Sequence, residues 1–160
     1  MATIEEYVSG KAAKAVKTAY DAMAGLESPL PQTPLAAIFE TALSHLEPLK
    51  MNLAQASGII KQAARCAIGE RICRCEFPDS PVTRSVFLDE LAQALVNAGK
   101  AEFVTGETAI EVLAAQKGKP IVMSKVSEKY MEICRTFPGL CFYWNAEKNG
   151  LKCIRPWKDG

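Results

Sequence analysis

The sequence predicts an α+β fold that is predominantly helical: amphipathic N-terminal helices packed with a smaller α+β lobe that ends in a β-hairpin. Three observations carry this. Apolar residues recur at helical spacing through most of the first 67 positions. Short β-type runs, "KAEFV" and "PIVM", appear only in the second half. The end, "LCFYWNAEKNGLKCIRPW", reads as an aromatic strand, a polar turn with Asn149 and Gly150, and a second strand. The chain is expected to form one compact domain, with a helical segment over 1–68 and a cysteine-rich α+β lobe over 69–160.

Each element has its own signal. "TIEEYVSGKAAKAVKTAYDAM" opens with a capping-box pattern, Thr3 to Glu6, and repeats Ile4, Val8, Ala12, Val16, Ala19 and Met23, with Gly25 as its stop. "ESPLPQTP" carries three prolines and reads as a connector, with Thr33 as N-cap and Pro34 in the first turn. A long helix is expected from Leu35 to Ala67, kinked or split at Pro48. After the "CRC" stretch, "VTRSVFLDELAQALVNAG" predicts a helix ending at Gly99, followed by the extended "KAEFV". A helix over 105–118, the strand "PIVM" and a helix over 124–137 precede the terminal hairpin.

Composition narrows the function. Hydrophobic residues make up 49% and charged residues 23%, the profile of a folded domain rather than a disordered chain. With 19 basic against 18 acidic side chains, no large field steers the protein onto nucleic acid. The acidic "MATIEEYVSG" does not look like a signal peptide, and no run reaches about 18 apolar residues, so no membrane partner and a cytoplasmic location are expected. In that compartment six cysteines point to metal, catalysis or packing rather than to structural disulfides. No P-loop, GxGxxG, HExxH or GxSxG is present. His45, the sole histidine, reads as a solvent-edge residue, and Asp89 and Glu90 as favourable charges at a helix start.

Cys66 reads as a buried thiol on the apolar face of the long helix. Cys134, near the end of its helix, can reach towards the hairpin, where Cys141 and Cys153 fall on one face. These three are expected to meet. In an extended "ICRCEF", Cys73 and Cys75 point the same way about 6–7 Å apart. That is wide for a disulfide or for one tetrahedral zinc, and it suits different irons of a cluster; in a turn, the same pair can close on one metal. Arg65, Arg74, Arg135 and Lys152 adjoin cysteines, and such cations favour thiolates and offset the charge of a thiolate-ligated cluster. Arg74 is therefore expected to act on the cofactor electrostatically, and Trp144, within the "FYW" run, to shield it.

"GERICRCEFPDSP", "LDELAQALVNAGKAEFVTGETAIEVL" and "CRTFPGLCFYWNAEKNGLKC" together resemble small cysteine-rich iron-sulfur proteins of anaerobic microbes, over roughly residues 66–153. The CxxCxxCxxxC pattern of ferredoxins is absent. The resemblance implies a cluster held by Cys73 or Cys75 with Cys134, Cys141 and Cys153. The expected function is thus an iron-sulfur protein, with a [4Fe-4S] cluster, in electron transfer or redox sensing with a redox protein partner. A metal-free thiol redox or small-molecule-binding protein and a zinc-stabilised interaction module are the alternatives. The apolar stripe from Leu35 to Ala67 is expected to pack on the N-terminal helix first, with a homodimer next.

Overall fold

A computed structural model describes residues 2–24, 39, 47–71 and 84–158. In chain order the elements are α1 (Ile4–Ser9), α2 (Lys11–Ala24), β1 (Leu49–Met51), α3 (Leu53–Gln62), β2 (Cys66–Glu70), β3 (Arg84–Leu88), α4 (Asp89–Asn97), β4 (Ala101–Val104), α5 (Gly106–Ala114), β5 (Ile121–Val126), β6 (Lys129–Arg135), α6 (Phe142–Lys148) and β7 (Arg155–Pro156). Seven strands form one sheet in the order β4-β2-β3-β6-β5-β1-β7. All neighbours are antiparallel except β1 and β7, which run parallel. The α+β class holds, but the predominantly helical expectation does not: a mixed sheet is the centre of the molecule, and it draws strands from both sides of residue 68.

Side chains alternate across the sheet. One face carries Cys66, Ile68, Val86, Met123 and Ile133, all buried. It is covered by α3 and α5, where the Cys66 thiol reaches the Ile60 carbonyl at 3.8 Å and Arg135 Nε donates to the Leu113 carbonyl at 2.8 Å. The other face carries Ala67, Phe87, Glu132 and Ser124. There α1 sends the Tyr7 hydroxyl to Glu132, and α6 sends Tyr143 to within 3.1 Å of Ser124 Oγ. The first face is almost wholly apolar; the second buries polar groups.

Several sequence expectations are corrected. Within the helix expected over 35–67, to be kinked or split at Pro48, Leu49–Met51 is a strand that pairs with Ile121–Met123 as β1, and a capping box between Asn52 and Gln55 starts α3. Cys66 and Ala67, expected at the helix end, open strand β2 (Cys66–Glu70). The start of the "VTRSVFLDELAQ" helix is strand as well, because Arg84–Leu88 bridges β2 and β6. The helix of 124–137 is replaced by the antiparallel pair β5–β6, turned through Ser127 and Glu128, both with positive φ. The terminal hairpin is replaced by α6, which Gly150 (φ 89°) ends: its N–H bonds to the Glu147 carbonyl at 3.1 Å and that of Leu151 to Ala146 at 2.9 Å.

The expectations that hold are local. Thr3 and Glu6 form the capping box, Ala101–Val104 is a strand, and a helix follows from Gly106. The first helix divides, because Gly10 adopts a left-handed φ of 82° and caps α1 through the Tyr7 carbonyl. The connector, Thr33, Pro34, His45 and the CRC stretch lie outside the described residues.

Candidate functional site

β6 supplies the centre of a polar cluster. Its alternation places Glu132 and Cys134 on the second face, opposite Phe87 and Ser85 of β3. Glu132 is 5% exposed, and both carboxyl oxygens are engaged: Tyr7 of α1 donates its hydroxyl to Oε2, and Ser85 donates its own to Oε1 at 3.3 Å. Burial raises the pKa of this carboxyl, against the opposing pull of the Tyr7 hydrogen bond, the Arg71 guanidinium and the Ser85 hydrogen bond.

Arg71 follows β2 directly and is 1% exposed. Its Nη1 donates to the carbonyl of Arg135 at 3.3 Å, and the same oxygen accepts the thiol of Cys134 at 3.4 Å. A guanidinium and a thiol therefore converge on one acceptor at the end of β6. A buried cation of this kind needs counter-charge, because removing it from water costs several kcal/mol, on the order of what a good pair returns.

Two further thiols complete the neighbourhood. Cys141, buried at the N-cap of α6, is pushed up to about 11, by burial above all and by the charge of Cys134; the backbone N–H of Trp144 and of Tyr143 and the Arg71 guanidinium oppose the shift. Cys153 is pushed up to about 12 by burial, then by Glu147 and by Cys141. Its thiol points to the Tyr143 carbonyl at 3.7 Å, while Glu147 Oε1 accepts its backbone N–H at 2.8 Å and that of Ile154 at 2.7 Å. Both thiols are neutral near pH 7. Cys66 lies on the other face, also raised by burial, and takes no part.

The predicted metal centre is corrected. Among the described residues no group of three or more His, Cys, Asp or Glu side chains is arranged to hold a metal ion. The hairpin that would have brought Cys141 and Cys153 onto one face is a helix followed by the stretch that leads into β7. Cys153 spends its S–H group on the Tyr143 carbonyl, whereas metal ligation needs the thiolate. Cys73, Arg74 and Cys75 lie outside the described residues. Trp144 sits on α6, donating Nε1 to Thr136 Oγ1 at 2.7 Å with Lys50 Nζ 5.7 Å from its ring centre, so it ties the helix to the end of β6.

Sequence reasoning missed Tyr7, Arg71, Ser85 and Glu132. One signal was available: Glu132 breaks the apolar run "YMEIC", and a lone acid inside a buried strand calls for a partner. Reading that run as helix hid the signal, because a helix can turn one acid towards water.

Comparison with protein-family models, with curated proteins and with solved structures finds no match. Among the described residues no helix is long and apolar enough to cross a membrane.

Proposed function

We propose that this protein is a metal-free thiol redox protein in which Cys134 exchanges with small disulfides. The observation that supports this reading is the shared acceptor: the Arg135 carbonyl brings the Arg71 guanidinium and the Cys134 thiol together. A neighbouring cation favours the ionised, nucleophilic form of a thiol. Cys141 and Cys153, pushed up to about 11 and about 12, stay protonated near neutral pH and are poor nucleophiles. The one described thiol with a buried cation sharing its hydrogen-bond acceptor is Cys134.

The chemistry is one balanced exchange. The Cys134 thiolate attacks one sulfur of a low-molecular-weight disulfide; a protein–sulfur bond forms, the disulfide bond breaks, and the other half leaves as a thiolate that takes a proton from water. The small disulfide is the oxidant and Cys134 the group oxidised. Return to the thiol needs a second thiol, from solution or from the protein.

Incubation of reduced protein with iodoacetamide, read by peptide mass spectrometry, tests the reading. Cys134 is expected to be modified first, ahead of Cys66, Cys141 and Cys153, and a small disulfide is expected to form a mixed disulfide at the same residue. Arg71→Met is expected to slow the Cys134 reaction roughly tenfold at pH 7, the effect of about one pKa unit, with partial rescue by Arg71→Lys. Equal labelling of Cys66, Cys134, Cys141 and Cys153, or an unchanged rate in Arg71→Met, would overturn it.

A further inference from the structure

We infer that Glu132 is a positioning residue for the same thiol: its carboxyl, fixed by Tyr7 and Ser85, draws on the Arg71 guanidinium that Cys134 also faces, and its charge thereby governs how readily the thiol reacts. The inference rests on the thiol reading above. Glu132 and Cys134 stand two residues apart on the same face of one strand, so a single cation, Arg71, serves both. When Glu132 is neutral, it no longer competes with the thiolate for the guanidinium's positive charge. When Glu132 is ionised, the two anions share it and repel each other.

Among the described residues, Arg71 is the cation whose charge acts on Glu132. From α1 comes the Tyr7 hydroxyl, from β3 come Ser85 and Phe87, and from β5 comes Ser124, whose own hydroxyl is occupied by Tyr143 of α6. α4 packs near β6 as well, but its Glu90 pairs with Lys129 at the exposed start of the strand, at 2.8 Å. Arg135, next along β6, turns its guanidinium to the other face, towards the Leu113 and Lys119 carbonyls. Burial of Glu132 makes its ionisation harder than that of a solvated carboxyl, so its charge state depends on its hydrogen-bond and ionic partners.

The experiment is the pH profile of Cys134 alkylation by iodoacetamide in wild type, Glu132→Gln, Tyr7→Phe and Cys134→Ser, each checked for folding by circular dichroism. Glu132→Gln keeps polar atoms for Tyr7 and Ser85 and removes the competing charge. Its Cys134 rate is expected to rise about threefold at pH 7, and the half-maximal rate to come at lower pH. Tyr7→Phe removes a hydrogen bond that favours ionised Glu132, and is expected to move the profile the same way by less. Glu132→Gln and wild-type profiles that superimpose, with the label still on Cys134, would overturn this inference and leave the thiol reading standing. Labelling of Cys134→Ser at the wild-type rate would overturn the thiol reading itself. Should Glu132→Gln fail to fold, the Tyr7→Phe profile decides: an unchanged profile counts against the inference.

Discussion

The hydroxyl of Tyr7, on the first helix, donates to the carboxyl of Glu132 in the middle of the sheet, 125 residues later in the chain. Three further hydrogen bonds support the same docking. Ser127 N–H bonds to the Ala2 carbonyl at 2.9 Å, Ile4 N–H donates to Ser127 Oγ at 3.0 Å, and Lys100 Nζ reaches the Val8 carbonyl. No residue of α1 is itself buried, although Ile4, Tyr7 and Val8 lie against the core. The helix is thus located by polar contacts as much as by burial, and Glu132 is the most deeply placed of its partners.

Glu132 should make stability fall as pH rises. Its folded pKa is raised above the unfolded value, so the folded state holds the proton more tightly. That advantage is complete below the unfolded pKa of about 4.3 and is lost as pH climbs through the folded value. Glu132→Gln has no proton to lose. In urea melts the mutant should therefore gain on wild type as pH rises above the unfolded value, and a difference that is flat with pH would count against the burial argument.

Gly69 faces the same side of the sheet, and there is no room for a side chain on it. A Cβ at this position would lie 2.6 Å from the Lys100 carbonyl oxygen and 3.1 Å from both Ala101 Cβ and the Phe87 ring. The carbonyl belongs to the backbone leading into β4 and cannot step aside as a flexible side chain could. Gly69→Ala should cost about 2 kcal/mol, in the range of overpacked cores, and denaturant unfolding should show it as a lower midpoint with an unchanged slope.

How far the fold was legible depended on whether a signal was local. Thr3 with Glu6 and Ala101–Val104 were readable because capping and short-range alternation are properties of adjacent residues. Leu49–Met51 was not, since three residues become a strand only when Ile121–Met123 lies beside them. The second face of the sheet was misjudged for a related reason. Ser85, Glu132 and Ser124 interrupt apolar runs, and a strand that buries hydrogen-bonded polar groups gives the mixed pattern of an amphipathic helix. The expected meeting of Cys134, Cys141 and Cys153 rested on a terminal hairpin that is a helix here, and the link of Arg71 to Cys134 and Cys141 needed the sheet to be known first.

Asn149 and Gly150 show one signal with two structural meanings. A tight hairpin turn and a helix stop both need a residue at positive φ, and glycine serves either. Here Gly150 sits at φ 89° after α6. A Cβ there would touch nothing within 4 Å, so the cost of Gly150→Ala comes from the backbone alone. It should amount to about 1 kcal/mol, read as a lower thermal midpoint. A hairpin reading would place the damage in strand pairing, whereas hydrogen exchange should show faster exchange at Leu151, whose N–H closes the helix on Ala146.

The turn between β5 and β6 carries the opposite error, a tight turn without a turn residue. Ser127 and Glu128 take φ of 49° and 69°, in the left-handed region that glycine and asparagine favour. Ser127 is retained for a reason visible in the contacts: its hydroxyl oxygen accepts from Ile4 N–H and its own N–H donates to the Ala2 carbonyl. Glu128 is exposed, and the left-handed conformation costs a residue with a Cβ about 1 kcal/mol. Glu128→Gly should therefore stabilise the protein by about 0.5 kcal/mol, once the added freedom of glycine in the unfolded chain is set against that relief. Ser127→Gly relieves the same kind of strain but removes the acceptor that holds α1, and should give no gain. Urea midpoints for the two variants separate the cases: a loss in Glu128→Gly would mean that its side chain contributes more to the folded state than its backbone conformation costs.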